Sequence, residues 1–232
     1  MNHVLKFTAA LFSLVGAISA TAAPITPSFS TFGTLAGATF GGSGIPNNAV
    51  AITNLTGLTL GLTATPRFAA ANPTNNGAGT FTARPGLSPN PPSSAADPYA
   101  LWNFSFFLGG TGVANAYFRL FYDFNPAVGN DQLTHGVFAA PGSVLANPTQ
   151  DSYNLGMDFL ATTNPAIGIT APAGVFNPNA QGQYSFALVA YTSITGAEIG
   201  RSAIVVNVVP EPGTFALAGL ALLGLAAARR RA

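Results

Sequence analysis

The chain has 232 residues, only 6% of them charged, no cysteine and a formal net charge of +1. That sign comes from the two ends: residues 23–209 hold four arginines (Arg67, Arg84, Arg119, Arg201), no lysine and six acids (Asp97, Asp123, Asp131, Asp151, Asp158, Glu198), which leaves this stretch at −2. With no basic stripe to meet a phosphate backbone, nucleic acid is excluded as a partner. Without thiols there is no disulfide, thiolate metal site or cysteine nucleophile. An average soluble protein has about 25% charged residues, so the solvent-facing side here must be made of Thr, Ser, Asn and Gln.

In chain order, residues 1–22 read as a secretory signal peptide. Lys6 precedes an uncharged run over 7–18, and Ala20 and Ala22 occupy the −3 and −1 positions of an A-x-A cleavage site, which makes the secretion translocase a partner. Residues 23–79 are rich in Gly, Thr and Ala, with one strand signal where Leu58, Leu60 and Leu62 alternate with polar or small residues. The Pro-, Asn- and Ser-dense stretch 72–96 reads as a long surface loop. Alternation returns at Trp102, Phe104 and Phe106. It continues at Phe118, Leu120, Tyr122 and Phe124, which places Arg119 and Asp123 on the opposite face. A less regular candidate spans 151–160. The last pair is Tyr184-Phe186-Leu188-Ala190 and Ile204-Val206-Val208, with a turn over 192–200. Asn-Pro pairs punctuate the intervening segments, and nothing before the C-terminal tail has a helical period. The expected fold is all-β, an antiparallel β-sandwich over 23–209 whose closing hairpin is immunoglobulin-like, with room for a loosely ordered N-terminal section.

Few residues could carry chemistry. Asp123, Asn125 and Asp131 surround a Gly-bearing turn and could offer oxygens to calcium, but Asx residues cap turns as a matter of course. The expectation is therefore no cofactor, with calcium the one cation these residues could take. His135, the only histidine after residue 22, lacks the further ligands a metal centre needs and reads as a loop residue. A Ser-His-Asp triad would have to use His135, and no G-x-S-x-G elbow accompanies it. A glycosidase pair could be drawn from Asp123, Asp131, Asp151 and Asp158. Gly41-Gly42-Ser43-Gly44 lacks the lysine of a phosphate loop. Tyr99, Trp102, Tyr117, Tyr153 and Tyr191 are the candidates for stacking on sugar rings.

The C-terminus carries the most specific pattern. Pro210-Glu211-Pro212 is followed by an uncharged, helix-prone run over 214–228 and then by Arg229-Arg230-Arg231. The prolines stop helix from extending backwards. The run reads as a transmembrane helix, shorter than the roughly 20 residues of a full span, and the three arginines hold its end on the cytoplasmic face. Over 210–232 the sequence resembles the PEP-CTERM sorting signal of Gram-negative bacteria. The resemblance implies transient residence in the inner membrane, recognition by an exosortase at Pro210, Glu211 and Pro212, and delivery to the cell surface or medium. Exopolysaccharide and biofilm formation are the usual setting of such systems. Two further segments, 122–129 and 151–156, are similar to stretches of other proteins bearing this signal, without an activity attached. These expectations describe an exported, non-catalytic surface or matrix protein. A carbohydrate-binding module is the alternative, and a secreted glycoside hydrolase a more distant one.

Overall fold

The computed structural model describes residues 23–210 except 69, 91 and 92. Twelve strands run in chain order within these residues: β1 (Thr31–Gly33), β2 (Val50–Leu55), β3 (Leu58–Pro66), β4 (Thr74–Asn75), β5 (Thr80–Ala83), β6 (Trp102–Gly109), β7 (Tyr117–Tyr122), β8 (Gly136–Pro141), β9 (Thr149–Tyr153), β10 (Ile169–Thr170), β11 (Gly182–Tyr191) and β12 (Glu198–Val208). One sheet has the order β1-β2-β3-β6-β9, the other β10-β8-β7-β11-β12-β5-β4. Neighbours are antiparallel except β12 and β5, which pair in parallel from Val205↔Thr80 to Val208↔Ala83. Four short 3-10 turns and one helix, α1 (Asp158–Ala161), complete the described elements. Among the described residues, no helix is long and apolar enough to cross a membrane.

The period-two pattern places the core between the sheets. Leu58, Leu60 and Leu62 of β3 and Trp102, Phe104, Phe106 and Leu108 of β6 face Tyr184, Phe186 and Leu188 of β11, Phe118, Leu120 and Tyr122 of β7, and Ile204, Val206 and Val208 of β12, all buried. Phe104 stacks on Phe186 with centroids 4.7 Å apart, and Trp102 meets Phe186 edge-on. Each such side chain contributes about 1.5–3 kcal/mol by leaving water, which is how a domain with so few charges is held together. Along one flank the sheets are joined by polar contacts. Ser202 Oγ donates to the Leu60 carbonyl, and Thr53 Oγ1 donates to that of Arg201 at 2.6 Å.

The N-terminal section is not loose. Ser28 exchanges two backbone hydrogen bonds with Ala203 (3.1 and 2.7 Å), and Ile25 is buried against Phe121, Ala187, Val189 and Ala203 on the outer face of the larger sheet. Leu35, Ala38 and Phe40 then pack with Val50 and Ile52 of β2. Residues 23–49 therefore cover apolar positions on both sheets, and that burial orders a segment whose composition alone reads as flexible. Polar side chains are buried too. Thr65 Oγ1 lies 2.8 Å from Ser105 Oγ, which donates to Ser152 Oγ at 2.8 Å, a ladder of hydroxyls across β3, β6 and β9.

Three expectations need correction. The stretch 72–96 is not one loop, since β4 and β5 lie within it: Thr80-Phe81-Thr82-Ala83 alternates, and β12 supplies its pairing partner. The candidate over 151–160 splits, with β9 ending at Tyr153 and α1 beginning at Asp158. Asp123 is not on a solvent face: β7 ends one residue before it, and the chain turns it inward to 2% exposure. The strand order itself supports a two-layer sandwich. An immunoglobulin constant domain has seven strands in sheets ABED and CFG, whereas five and seven strands with an internal parallel pair are described here.

Candidate functional site

The structure brings Asp123 and His135 together with Ser185 in a buried cluster, edged by half-buried Asp131 and exposed Asn125, while Asp151 lies on β9 and Asp158 opens α1. Asp123 Oδ1 accepts the Asn125 backbone N–H at 2.8 Å, and Oδ2 accepts Asn130 Nδ2 at 2.8 Å. Asn125 Oδ1 in turn accepts from the Ala127 backbone, and Asp131 Oδ1 from that of Leu133. The oxygens calcium would need are thus acceptors of the loop's own donors, the arrangement of Asx turns. Among the described residues no group of three or more His, Asp or Glu is placed to hold a metal. Burial pushes the Asp123 carboxyl up from its ordinary value, and the hydrogen bonds from Asn130 and Asn125, with His135 beside it, offset part of that.

His135 is a buried bracket where a loop histidine was expected, 4% exposed. Its Nδ1 lies 3.1 Å from the Asp131 carbonyl oxygen and its Nε2 2.8 Å from Ser185 Oγ. With a proton on Nδ1, the ring donates to the carbonyl and accepts the serine hydroxyl. Ser, His and Asp therefore do meet, fifty and twelve residues apart in the chain, but not as a triad. A triad needs the carboxylate on Nδ1, opposite the serine. Here a carbonyl takes Nδ1, and Asp123 Oδ2 lies on the Nε2 side at 3.6 Å, beyond hydrogen-bond range. All three side chains are buried, so the serine has no approach for a substrate.

The segment 151–156 has a structural account. Asn154 is fully buried. Its Nδ2 reaches the carbonyls of Ala100 and Trp102 and Asn103 Oδ1 at 2.8–3.0 Å, while its Oδ1 accepts the backbone N–H groups of Ala100 and Gly156. It ties the end of β9 to the entry of β6.

The site that sequence reasoning missed lies where the chain leaves the domain. A cavity of about 490 Å³ is lined by Arg67, Asn72, Thr82, Arg84, Trp102, Val209 and Pro210, among others, and by no acidic residue among those described. Arg67 follows the end of β3, with its backbone N–H bonded to Leu101 O at 3.0 Å. Its guanidinium carbon sits 3.9 Å from the centre of the Tyr99 ring and 5.2 Å from that of Phe68. Phe68 is 63% exposed and takes a left-handed backbone with φ 48°, a conformation bulky residues rarely adopt. Arg67 is only 6% exposed, and its Nε has no hydrogen-bond partner among the described residues. Burial pushes its guanidinium down from the ordinary arginine value, while neighbouring Tyr99 and Asp97 act the other way. A buried arginine nitrogen without an acceptor is rare because an unmet donor costs about 1–3 kcal/mol or more. In sequence the only signal was that one of four arginines in the domain stands at a strand end beside an aromatic.

The sugar-stacking candidates do not form an exposed row. Trp102 is in the core; Tyr99, Tyr117, Tyr153 and Tyr191 are half-buried. Tyr117 and Tyr191 stand opposite each other on β7 and β11, with the Arg119 guanidinium carbon 5.8 and 4.8 Å from their rings.

Pro210 is exposed and is the last described residue before the tail. The other expected sorting and membrane positions lie outside the described residues: Ala20 and Ala22, Glu211 and Pro212, the run 214–228, and Arg229, Arg230 and Arg231. Residues 208–231 match the PEP-CTERM protein-sorting motif. No curated protein and no solved structure matches the chain. The motif implies an exported protein whose membrane-anchored precursor is recognised by an exosortase.

Proposed function

We propose that the exosortase-sorted chain acts outside the cell as a non-catalytic surface or matrix component, built around a rigid and nearly uncharged β-sandwich. The observation that carries this reading is continuity. β12 ends at Val208, where the sorting motif begins, and Pro210 stands exposed at the domain's edge. The folded domain thus hands the Pro-Glu-Pro segment directly to a processing enzyme in the membrane. The non-catalytic part is supported by the Asp123–His135–Ser185 cluster, whose polar groups are closed off and engaged with one another. It draws further support from three cavities among the described residues whose linings hold no acid, whereas a glycosidase needs two carboxyls about 5–10 Å apart in a cleft. No cofactor enters this reading. A Thr-, Ser- and Asn-rich surface meets a hydrated polysaccharide matrix through hydrogen bonds rather than charge, the setting we assign to the released or attached product. The β11–β12 hairpin is the part of the domain that supports an immunoglobulin-like comparison.

Replacing Pro210, Glu211 and Pro212 together by alanine tests the sorting step. The expected result in cells is full-length precursor retained in the membrane fraction, with no shortened surface form on an immunoblot. Normal processing of the triple variant would remove the assignment. For the matrix role, the mature protein should co-sediment with the host's exopolysaccharide. A carbohydrate-binding reading has one observation in its favour, the half-exposed Tyr117 and Tyr191 beside Arg119. Loss of sedimentation in a Tyr117→Ala, Tyr191→Ala pair would promote it over a purely structural role.

A further inference from the structure

Arg67 combines a buried nitrogen that wants an acceptor with a neighbouring space large enough to bring one. We propose that the cavity beside the end of β3 binds an N-acetylated sugar of the surrounding matrix, whose acetamido oxygen accepts from Arg67 Nε. The proposal rests on the extracellular setting given above for the source of its sugar, and on the cavity alone for its place.

Arg67 is nine-tenths buried, lies over the Tyr99 ring, and lines the cavity with an Nε that has no partner among the described residues. Its charge is better served than its hydrogen. The half-buried Asp97 carboxylate stands near enough to favour the Arg67 cation. It also hydrogen-bonds the Tyr99 hydroxyl and accepts the Asp158 backbone N–H at 3.2 Å. A cation already balanced from within calls for a neutral acceptor, because an added anion would meet Asp97 as well. The favoured occupant therefore offers a carbonyl or hydroxyl oxygen and not a carboxylate or phosphate. The cavity measures about 490 Å³, within the roughly 300–1,000 Å³ typical of small-molecule sites. Ala71, Pro73 and Leu101 make part of its wall apolar, and Asn72 and Asn90 make part of it polar. An acetamido group joins an oxygen that accepts from an N–H to a methyl that packs against apolar carbon. A pyranose ring adds hydroxyls for the asparagine amides, which both donate and accept. A plain hexose lacks the carbonyl and the methyl. An amino sugar without its acetyl group brings a second cation to Arg67, and a uronate brings an anion to Asp97.

Trp102 is the only tryptophan of the chain and lines the cavity, so its fluorescence reports on this place and not on the Tyr117–Tyr191 surface. The test titrates the purified full-length chain, held in a detergent without a sugar headgroup, with N-acetylglucosamine. A saturable change in Trp102 emission is expected, with glucose, glucosamine and glucuronate giving none over the same range. Arg67→Gln should weaken the response about tenfold or more, the loss that follows removal of a hydrogen bond to a charged group. If that variant does not fold, Ala71→Phe carries the test. Ala71 is exposed and lines the cavity, so a phenyl there should abolish the response without lowering the melting temperature of the sugar-free protein. The absence of a saturable change, an equal change with glucose or glucuronate, or an undiminished response in either folded variant would overturn the proposal. An equal change with N-acetylalaninamide would do the same, since the cavity would then read peptide amides and not sugars. Failure here leaves the matrix reading standing, because co-sedimentation with exopolysaccharide through the outer surface needs no occupied cavity.

Discussion

The Asp123–His135–Ser185 cluster and the Arg67 cavity are both buried polar places in a domain that has almost no charge to spare, and they are built on opposite principles. In the first, the bonds close within the cluster: two donors to Asp123, a carbonyl to His135 Nδ1, a hydroxyl to Nε2. In the second, a pinned arginine faces open volume with a nitrogen that bonds to nothing among the described residues. The residues with the most chemical reputation, a serine, a histidine and an aspartate, therefore form structural joinery. The residue with none in the sequence faces the space a ligand could use. Satisfaction of hydrogen bonds separates the two better than residue type does.

That contrast can be broken by substitution. The largest effect should come from the most completely satisfied group. Asn154→Ala orphans several buried backbone groups at once and should lower unfolding free energy by about 3–5 kcal/mol in urea titration; a loss below about 1 kcal/mol would mean the bonds of Asn154 are not what holds β9 to β6. Next, Asp123→Ala leaves the Asn125 N–H and Asn130 Nδ2 without their acceptor and should cost about 2–4 kcal/mol. The same carboxyl predicts a pH dependence. Its folded value is raised by burial, so the folded state holds a proton that the unfolded chain releases. Its contribution to stability is complete below the ordinary aspartate value and is lost as pH rises through the folded value. The parent protein's melting temperature should fall over that interval more steeply than that of Asp123→Asn, and parallel curves would refute the burial account. The sign should reverse at an unsatisfied group. Tyr184 is buried with a hydroxyl that has no partner among the described residues, and burial pushes its phenol up to about 12. Tyr184→Phe should therefore stabilise the domain by about 1 kcal/mol, seen as a rise of a few degrees in melting temperature. Smallest of all, calcium or a chelator should leave the melt unmoved, because the Asx oxygens are already engaged; a calcium-dependent rise would reopen the site at Asp123, Asn125 and Asp131.

Legibility in the sequence followed the physics of each element. β3, β6, β7, β11 and β12 were readable because the face toward the inter-sheet core carries large apolar side chains while the other, itself largely buried, carries mostly smaller or polar ones, so the letters alternate. β5 was hidden because four residues among prolines and asparagines make a strand only when β12 lies beside them, more than a hundred positions away. β8, Gly136-Val-Phe-Ala-Ala-Pro, has no clean alternation, since its side chains are half-buried on both faces. The packing of residues 23–49 was invisible for a related reason: Ile25 and Phe40 are single apolar residues whose partners lie on other strands. At the sites, the Asx turn of 123–131 was legible as local chemistry. The histidine's partner Ser185 was not, and neither was Arg67, whose environment is supplied by Tyr99, Leu101 and the exit of β12.

One feature of the larger sheet bears on how the tethered precursor meets mechanical load. β12, whose end runs into the tail, is not an edge strand. It is bonded along its length to β11 on one side and, on the other, to Ser28 at Ala203 and to β5 from Val205 onward. Ladder bonds lie across the strand axis. A pull on the tail draws β12 lengthwise and strains its rungs together on both sides, instead of peeling them one at a time. The membrane attachment thus enters the domain through a strand clamped from two directions, which lets drag on the exported domain be borne without fraying the segment that must remain readable beside it.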